Sequence, residues 1–200
     1  MKDILLTQLR DRTTSRAEFR RAAQELASIL AYETVAMLPH KSIDIMTPVA
    51  PFSGTALSDP VVLVPILRSG LTLVPAFVDY FPDAAIGCIG LKRDEKTGIA
   101  HQYYSNMPPI GKHDRVIVLD PMIATGGSGC DALEIIQDLG ISEERIFFVA
   151  IIASQQGLDR IKTSFPRVTV IVPAVDRELT PNFFITPGLG DFGDRYFGTE

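Results

Sequence analysis

The residues with the clearest chemical potential are contiguous: Asp120-Pro121-Met122-Ile123-Ala124-Thr125-Gly126-Gly127-Ser128, directly after the apolar run Val116 to Leu119. Two adjacent glycines flanked by hydroxyls at a helix start let backbone N–H groups close around a phosphate, and the helix dipole adds attraction. Asp120, just ahead of the turn, stands where a carboxylate can accept hydrogen bonds from the two hydroxyls of a ribose, so one segment would read phosphate and sugar together. A plainer description also fits, a tight strand-to-helix turn with Asp120 as a cap. The run is neither a Walker loop nor the Gly-x-Gly-x-x-Gly dinucleotide turn, because it has no Gly-Lys-Ser/Thr and its glycines are wrongly spaced. A branched side chain at Gly126 is expected to block phosphate and leave the fold intact.

Two further places carry chemistry. Arg68 follows the apolar run Val61 to Ile66 and precedes Gly70; a guanidinium there can offer paired donors to an anion or simply join a surface ion pair. The tail from Phe184 to Asp194 combines Ile185, Pro187, Gly188, Gly190 and Gly193 with Asp191 and Asp194. Such a composition predicts a rigid loop rather than a helix, with backbone groups available to a ligand or folded into a turn-rich cap.

These residues need a scaffold. Ser15-Arg16-Ala17-Glu18 has the spacing of a capping box and predicts a helix start, continued by Phe19, Ala22, Ala23, Leu26, Ile29 and Leu30 as one apolar stripe towards Leu38. From residue 60 short apolar runs alternate with glycine-containing turns and helical segments. Val61 to Ile66, Ala84 to Leu91, Val116 to Leu119, Ile146 to Ala153 and Val168 to Val172 read as buried parallel strands. A second helix carries Leu133, Ile136 and Leu139 and stops at Gly140. Alternation of this kind predicts an α/β fold with a doubly wound parallel sheet, whose ligands sit beyond the carboxyl ends of the strands. Arg93 to Gly111 breaks the alternation and reads as a projecting hairpin arm. No repeat or Ser/Gly-rich linker divides the chain.

Composition sets the outer limits. Two hundred residues, 46% hydrophobic and 22% charged, fit a single domain over 1–200 with a core that needs no disulfide or structural metal. Cys88 and Cys130 have no partner at metal-ligand spacing and are expected to be packing thiols. The net charge of -5 opposes general attraction to nucleic acid. The longest apolar stretches fall short of the roughly 20 residues that cross a bilayer. The opening Met1 to Leu6 lacks a signal-peptide plan, so a cytoplasmic protein with no membrane partner is expected.

The run from Val116 to Ser128 resembles the phosphoribosyl pyrophosphate loop of the type I phosphoribosyltransferases. Asp120-Pro121 is similar to the uracil-specific branch, where Pro replaces the second acidic residue of the usual pair. Val64 to Gly70, Gly90 to Glu95 and Pro187 to Arg195 resemble segments of that branch in the expected order, so the likeness extends over nearly the whole chain. It implies a type I phosphoribosyltransferase-like sheet with a C-terminal base-binding hood. The implied reaction joins uracil to phosphoribosyl pyrophosphate, giving UMP and pyrophosphate in pyrimidine salvage. The resemblance assigns Arg68 and Arg93 to the pyrophosphate and residues 120 to 128 to the phosphoribosyl group. It gives Ile185, Gly190, Asp191 and Phe192 to uracil, mainly through main-chain atoms, with Asp191 also facing the ribosyl substrate. Asp120, Asp191 and Arg68 are the catalytic set, and Mg2+ enters with the pyrophosphate rather than on protein ligands.

No Ser/His/Asp or Cys/His set is needed, and of the three histidines only His101, on the arm, is a candidate proton shuttle; His40 and His113 are expected at the surface. The helix at 15 to 38 and the arm at 93 to 111 make a homodimer or higher homo-oligomer the expectation, and the likeness brings forward GTP, an effector of some relatives. Phe192 stands where the family usually has Ala, Ser69 where it has Ala, Lys92 where an aromatic is common and Thr180 where Asn is usual. The Phe192 ring is expected to crowd the base edge, and so to disfavour bulky 5-substituents, unless it turns away. The competing readings are an inactive nucleotide- or RNA-binding regulator of the same fold and a phosphoribosyltransferase for another base.

Overall fold

The computed structural model describes residues 1–93 and 100–199; the side chains of residues 92, 93, 100 and 101 lie outside that description. The chain opens with helix α1, Lys2–Arg10, and the longer α2, Arg16–Met37. The capping box at the start of α2 is formed: the Ser15 hydroxyl accepts from the Glu18 N–H at 3.3 Å, and the Ser15 N–H donates back to the Glu18 carboxylate at 3.1 Å. Strands β1, His40–Met46, and β2, Pro51–Leu57, then pair antiparallel as a hairpin. Sequence reading found no strand here, because the segment lacks a buried face: Ile45, Met46, Val49 and Phe52 are all exposed. Its strand conformation comes from cross-strand pairing alone.

The central sheet begins with β3, Val61–Leu67, buried along most of its length. A 3-10 turn over Ser69–Thr72 leads into α3, Val74–Tyr80. The run Ala84 to Leu91, read as one strand, is two: β4, Ala85–Ile86, and β5, Cys88–Arg93, which both pair with β3. β6, Ala100–Asn106, returns antiparallel to β5, so the expected arm is a hairpin that starts back at Cys88. Residues 94–99, within that expectation, lie outside the described residues.

The next three parallel strands share a break. β7, Arg115–Leu119, stops and restarts as β8, Met122–Ile123, before α4, Gly127–Asp138. β9, Ile146–Val149, restarts as β10, Ile152–Ser154, before α5, Gln155–Ser164. β11, Thr169–Ile171, restarts as β12, Ala174–Asp176. The main sheet runs β11-β9-β7-β3-β5-β6, and the continuations form their own sheet in the order β12-β10-β8. The apolar run Ile146 to Ala153 is therefore two strands rather than one. Hydrophobicity is continuous through the break because Ala150 and Ile151 stay buried, so the pattern carried no sign of it. Pro121 and Pro173 occupy two of the breaks; lacking an N–H, proline cannot continue a ladder.

Alternate residues of the sheet feed two cores. Leu63, Ile117, Leu119, Phe147 and Val149 pack with α1, α2 and α3 on one face. Val62, Val64, Val116, Val118 and Phe148 pack with α4 and α5 on the other. Burial on both faces explains the unbroken apolar strands. Cys130 lies in the second core, where burial pushes its thiol above the usual range, and Cys88 is half-buried. His40 and His113 are exposed. No helix among the described residues is long and apolar enough to cross a membrane. The chain ends with a short antiparallel pair, β13, Glu178–Leu179, and β14, Ile185–Thr186, a loop, and helix α6, Phe192–Phe197.

Candidate active site

The turn expected to hold phosphate is made by the break between β7 and β8. Asp120 leaves the main sheet while its N–H still donates to the Val149 carbonyl at 3.2 Å, and the Pro121 carbonyl accepts from the N–H groups of Ile151 and Ile152. The Met122 N–H lies 3.4 Å from a carboxylate oxygen of Asp120. Gly126 caps α4 with φ of 74°, a left-handed conformation that glycine alone adopts without penalty. A Cβ at Gly126 would lie 2.6 Å from the Gly157 carbonyl oxygen, and one at Gly157 would lie 2.3 Å from that of Ala124. The turn therefore rests backbone to backbone on the start of α5. Ser154, fully buried, ties the two together: its hydroxyl donates to the Ala124 carbonyl and accepts from the Gly157 N–H at 2.9 Å. Sequence reading missed Ser154 and Gly157, which sit outside the motif. The expectation that Gly126→Val spares the fold is corrected by the same geometry, because the added side chain collides with α5 whether or not a phosphate is bound.

Arg68 follows the end of β3 and is exposed, as expected of a residue leaving the carboxyl edge of the sheet. Its peptide bond with Leu67 is cis. The guanidinium carbon lies 5.3 Å from the centre of the Phe197 ring, a cation–π contact that brings α6 over this arginine. Gly70 lets the following turn press against β7: a Cβ there would lie 2.2 Å from the Leu119 carbonyl oxygen. Arg93 ends β5, and its side chain lies outside the described residues, as does that of His101.

The hood rises from β12. Its β13–β14 tip is stapled by Thr180, whose N–H donates to the Phe184 carbonyl at 2.8 Å and whose hydroxyl accepts from the Phe184 N–H at 3.1 Å. Within this turn Phe183 takes φ of 64°, uncommon for a bulky residue. Ile185 is buried, and Gly188 and Gly190 are left-handed. Asp191 accepts from the Asp194 N–H at 2.9 Å and so caps α6. The tail was expected to remain loop through Asp194; the helix begins at Phe192 instead, since the Asp191 cap and the apolar faces of Phe192 and Tyr196 support a short helix that glycine content disguised. The Phe192 ring turns into the core, with centroids 5.2 Å from Phe19 and 5.8 Å from Tyr196. It is 1% exposed, so the residue borders the site without its ring crowding a base edge.

A cavity of about 940 Å³ opens where turn and hood meet. Asp120, Met122, Ala124 and Ser128 line one side; Ile185, Gly190, Asp191 and Phe192 line the other. Residues outside the sequence-derived set also reach it: Ser69, Leu91, Gly193, and the hood tip Pro181 to Phe184. The adjacent aromatic pair Phe183-Phe184, exposed at 40% and 47%, is the sequence signal for this wall. Pro121, Ile123, Gly126 and Gly127 are buried behind the cavity, and Thr125 is half-buried with its hydroxyl 3.4 Å from the Gly127 N–H. Among the described residues no group of three or more His, Cys, Asp or Glu side chains is gathered to hold a metal ion. A helix N-terminus, a carboxylate and a separate wall of backbone groups face one space, an arrangement suited to an anionic sugar phosphate beside a small planar molecule.

A strand-to-helix phosphate turn at the carboxyl edge of a mostly parallel sheet, covered by a C-terminal hood, defines a phosphoribosyltransferase of the type I class. The fold is shared with a hypoxanthine-guanine phosphoribosyltransferase from Bacillus anthracis, at a TM-score of 0.51 and 14% identity over 78% of this chain and 76% of that one. The chain belongs to the uracil phosphoribosyltransferase family, whose model matches residues 2–199. It is 40% identical to a uracil phosphoribosyltransferase of Salinibacter ruber over 98% of this chain and 92% of that protein. The AQ2163 protein of Aquifex aeolicus superposes with a TM-score of 0.91 at 33% identity, covering 100% of this chain and 95% of that one.

Proposed function

We propose that this chain transfers the phosphoribosyl group of phosphoribosyl pyrophosphate to N1 of uracil, giving UMP and pyrophosphate in pyrimidine salvage. The observation that carries the reading is the shared cavity, which puts Asp120 and the start of α4 opposite the backbone of Gly190 and Asp191. The 5-phosphate would rest on the N–H groups of the turn, with the ribose hydroxyls on Asp120. Uracil would lie under the hood, its carbonyl oxygens and ring N–H read by main-chain groups between Ile185 and Phe192.

The C1–oxygen bond to pyrophosphate breaks as the bond from uracil N1 to C1 forms, and the N1 proton is released. Positive charge grows on the ribose and negative charge on the leaving group. Asp120 and the carboxylate of Asp191 stabilise the first; Arg68 and Arg93 disperse the second, together with the Mg2+ that the substrate carries. Orientation of two bound substrates supplies much of the remaining acceleration, so no covalent nucleophile is required. The chain would work in the cytoplasm as a homodimer or higher homo-oligomer. The exposed apolar residues of the β1–β2 hairpin support that association, and light scattering of the purified protein measures it.

The test mixes the pure protein with phosphoribosyl pyrophosphate, Mg2+ and each base, and follows pyrophosphate release. Uracil should turn over and cytosine should not: its amino group sets a donor against a donor and its bare ring nitrogen leaves an acceptor unpaired. Mismatches of this kind give discrimination on the order of ten-thousand-fold. Comparable specificity constants for the two bases would defeat the proposed reading of the hood. Adding GTP to the same assay reports whether it is an effector.

A further inference from the structure

Gly188 sits at the base of the hood loop, and both of its backbone polar groups are already occupied. Its N–H donates to Asp176 at 2.8 Å and its carbonyl accepts from Arg10 at 2.9 Å. Arg10 and Asp176 are themselves joined by a two-pronged pair, at 2.7 and 2.8 Å. Asp176 ends β12 and is 8% exposed; Arg10 ends α1, at the opposite end of the sequence. The next residue of the loop is held in the same way. The Leu189 carbonyl accepts from Arg195 at 2.8 Å, and the same guanidinium donates to the carbonyls of Leu9 and Asp11 while lying over the Phe19 ring.

We infer that Arg10, paired with Asp176, is a positioning residue for base recognition: it sets the height and tilt of the hood loop from the end of α1. With the carbonyls of Gly188 and Leu189 drawn back onto guanidinium groups, the loop turns its backbone to the cavity from Gly190 onward. The cavity wall agrees, since it includes Gly190, Asp191 and Gly193 and omits Gly188 and Leu189. A half-buried ion pair is a poor choice for stability alone, because apolar side chains of similar volume often do as well. The arginine fork earns its place through geometry, holding both oxygens of Asp176 and a backbone carbonyl on one guanidinium. The side-chain hydrogen bonds that join the pair run between Arg10 and Asp176 and to Gly188 of the hood loop, so the effect should fall on the base more than on the sugar phosphate.

The inference rests on the reading of the hood as the base site. Steady-state kinetics of the full chain should be measured for Arg10→Gln and Arg10→Lys, varying uracil and phosphoribosyl pyrophosphate separately. Misplacing the loop by a fraction of an ångström is expected to raise KM for uracil roughly tenfold or more in Arg10→Gln. KM for phosphoribosyl pyrophosphate should stay within about twofold, and the preference for uracil over cytosine should narrow. Arg10→Lys keeps the charge without the fork and should fall between. Parallel rises in both KM values, or no change in either, would overturn the inference. Should Arg10→Gln fail to fold, Arg10→Lys decides on the same split. If the wild-type protein ignores uracil and uses another base, the reading of base identity fails while the split for that base still tests the clamp.

Discussion

The phosphate turn and the hood face each other across one cavity, yet they are built on opposite principles. Asp120 to Ser128 is nine consecutive residues, placed by the end of one core strand and the start of one helix. The hood loop gets its shape from far away: Arg10 reaches it across 178 positions at Gly188, and Arg195 links it to Leu9 across 186. The turn is held by close backbone packing, with Gly126 against the Gly157 carbonyl and Gly157 of α5 against that of Ala124. The hood is held by side chains that a small change can loosen.

The sharpest separation of the two halves should come from Gly126→Val. A β-branched residue at φ of 74° with Cβ 2.6 Å from a carbonyl oxygen should cost about 3–5 kcal/mol by backbone conformation and overpacking together. Urea unfolding should show the loss and calorimetry should show no binding of phosphoribosyl pyrophosphate. A variant of normal stability and affinity would mean that the turn is not built as described.

Phe192→Ala probes the hood side. Emptying a site packed between Phe19 and Tyr196 should destabilise by about 3–4 kcal/mol. Since the ring points inward, the relative rates with 5-substituted uracils should hardly move; a clear gain for bulky 5-substituents would show the ring standing at the base after all. For Asp120→Asn the fold should survive. Turnover should drop about a hundredfold with a smaller change in KM, because the lost charge matters most when the ribose becomes cationic. Normal turnover with only a raised KM would remove Asp120 from that role.

Phe197→Leu tests the bridge between the halves, since Phe197 lies on α6 and contacts Arg68. Losing a partly exposed cation–π contact, worth about 1 kcal/mol, should raise KM for phosphoribosyl pyrophosphate about fivefold and leave KM for uracil in place. An equal effect on both substrates would make Phe197 a packing residue and nothing more.

The smallest effect is in acid. Hydrogen bonds from Arg10, then from the Gly188 N–H, hold the Asp176 carboxyl below its usual value of 3.8 in spite of burial. A carboxyl lowered in the folded state adds stability above its unfolded pKa and loses it as pH falls through the folded one. Unfolding of the wild type should therefore steepen as pH drops from near 4, and Asp176→Asn should show a shallower acid limb. Identical limbs would mean that the pair contributes nothing to pH-dependent stability.

Much of this division was legible in advance. The strands at 61 and 116, the capped helix at Ser15, the strand-to-helix turn after Asp120 and a hairpin after Cys88 follow from local rules of periodicity, capping and glycine placement. The sequence by itself also brought Asp120, Arg68 and the Ile185 to Phe192 stretch forward as candidates. Tertiary structure alone decided the rest. The break inside Ile146 to Ala153 left no trace because both halves are buried, and the hairpin at 40 to 57 was invisible because neither of its faces is. The inward turn of Phe192 depended on the space beside Phe19, and the clamp by Arg10 and Arg195 joined residues with no local reason to meet. A pattern in sequence reports which face of an element avoids water; it does not report which distant carbonyl a guanidinium will reach once the core has closed.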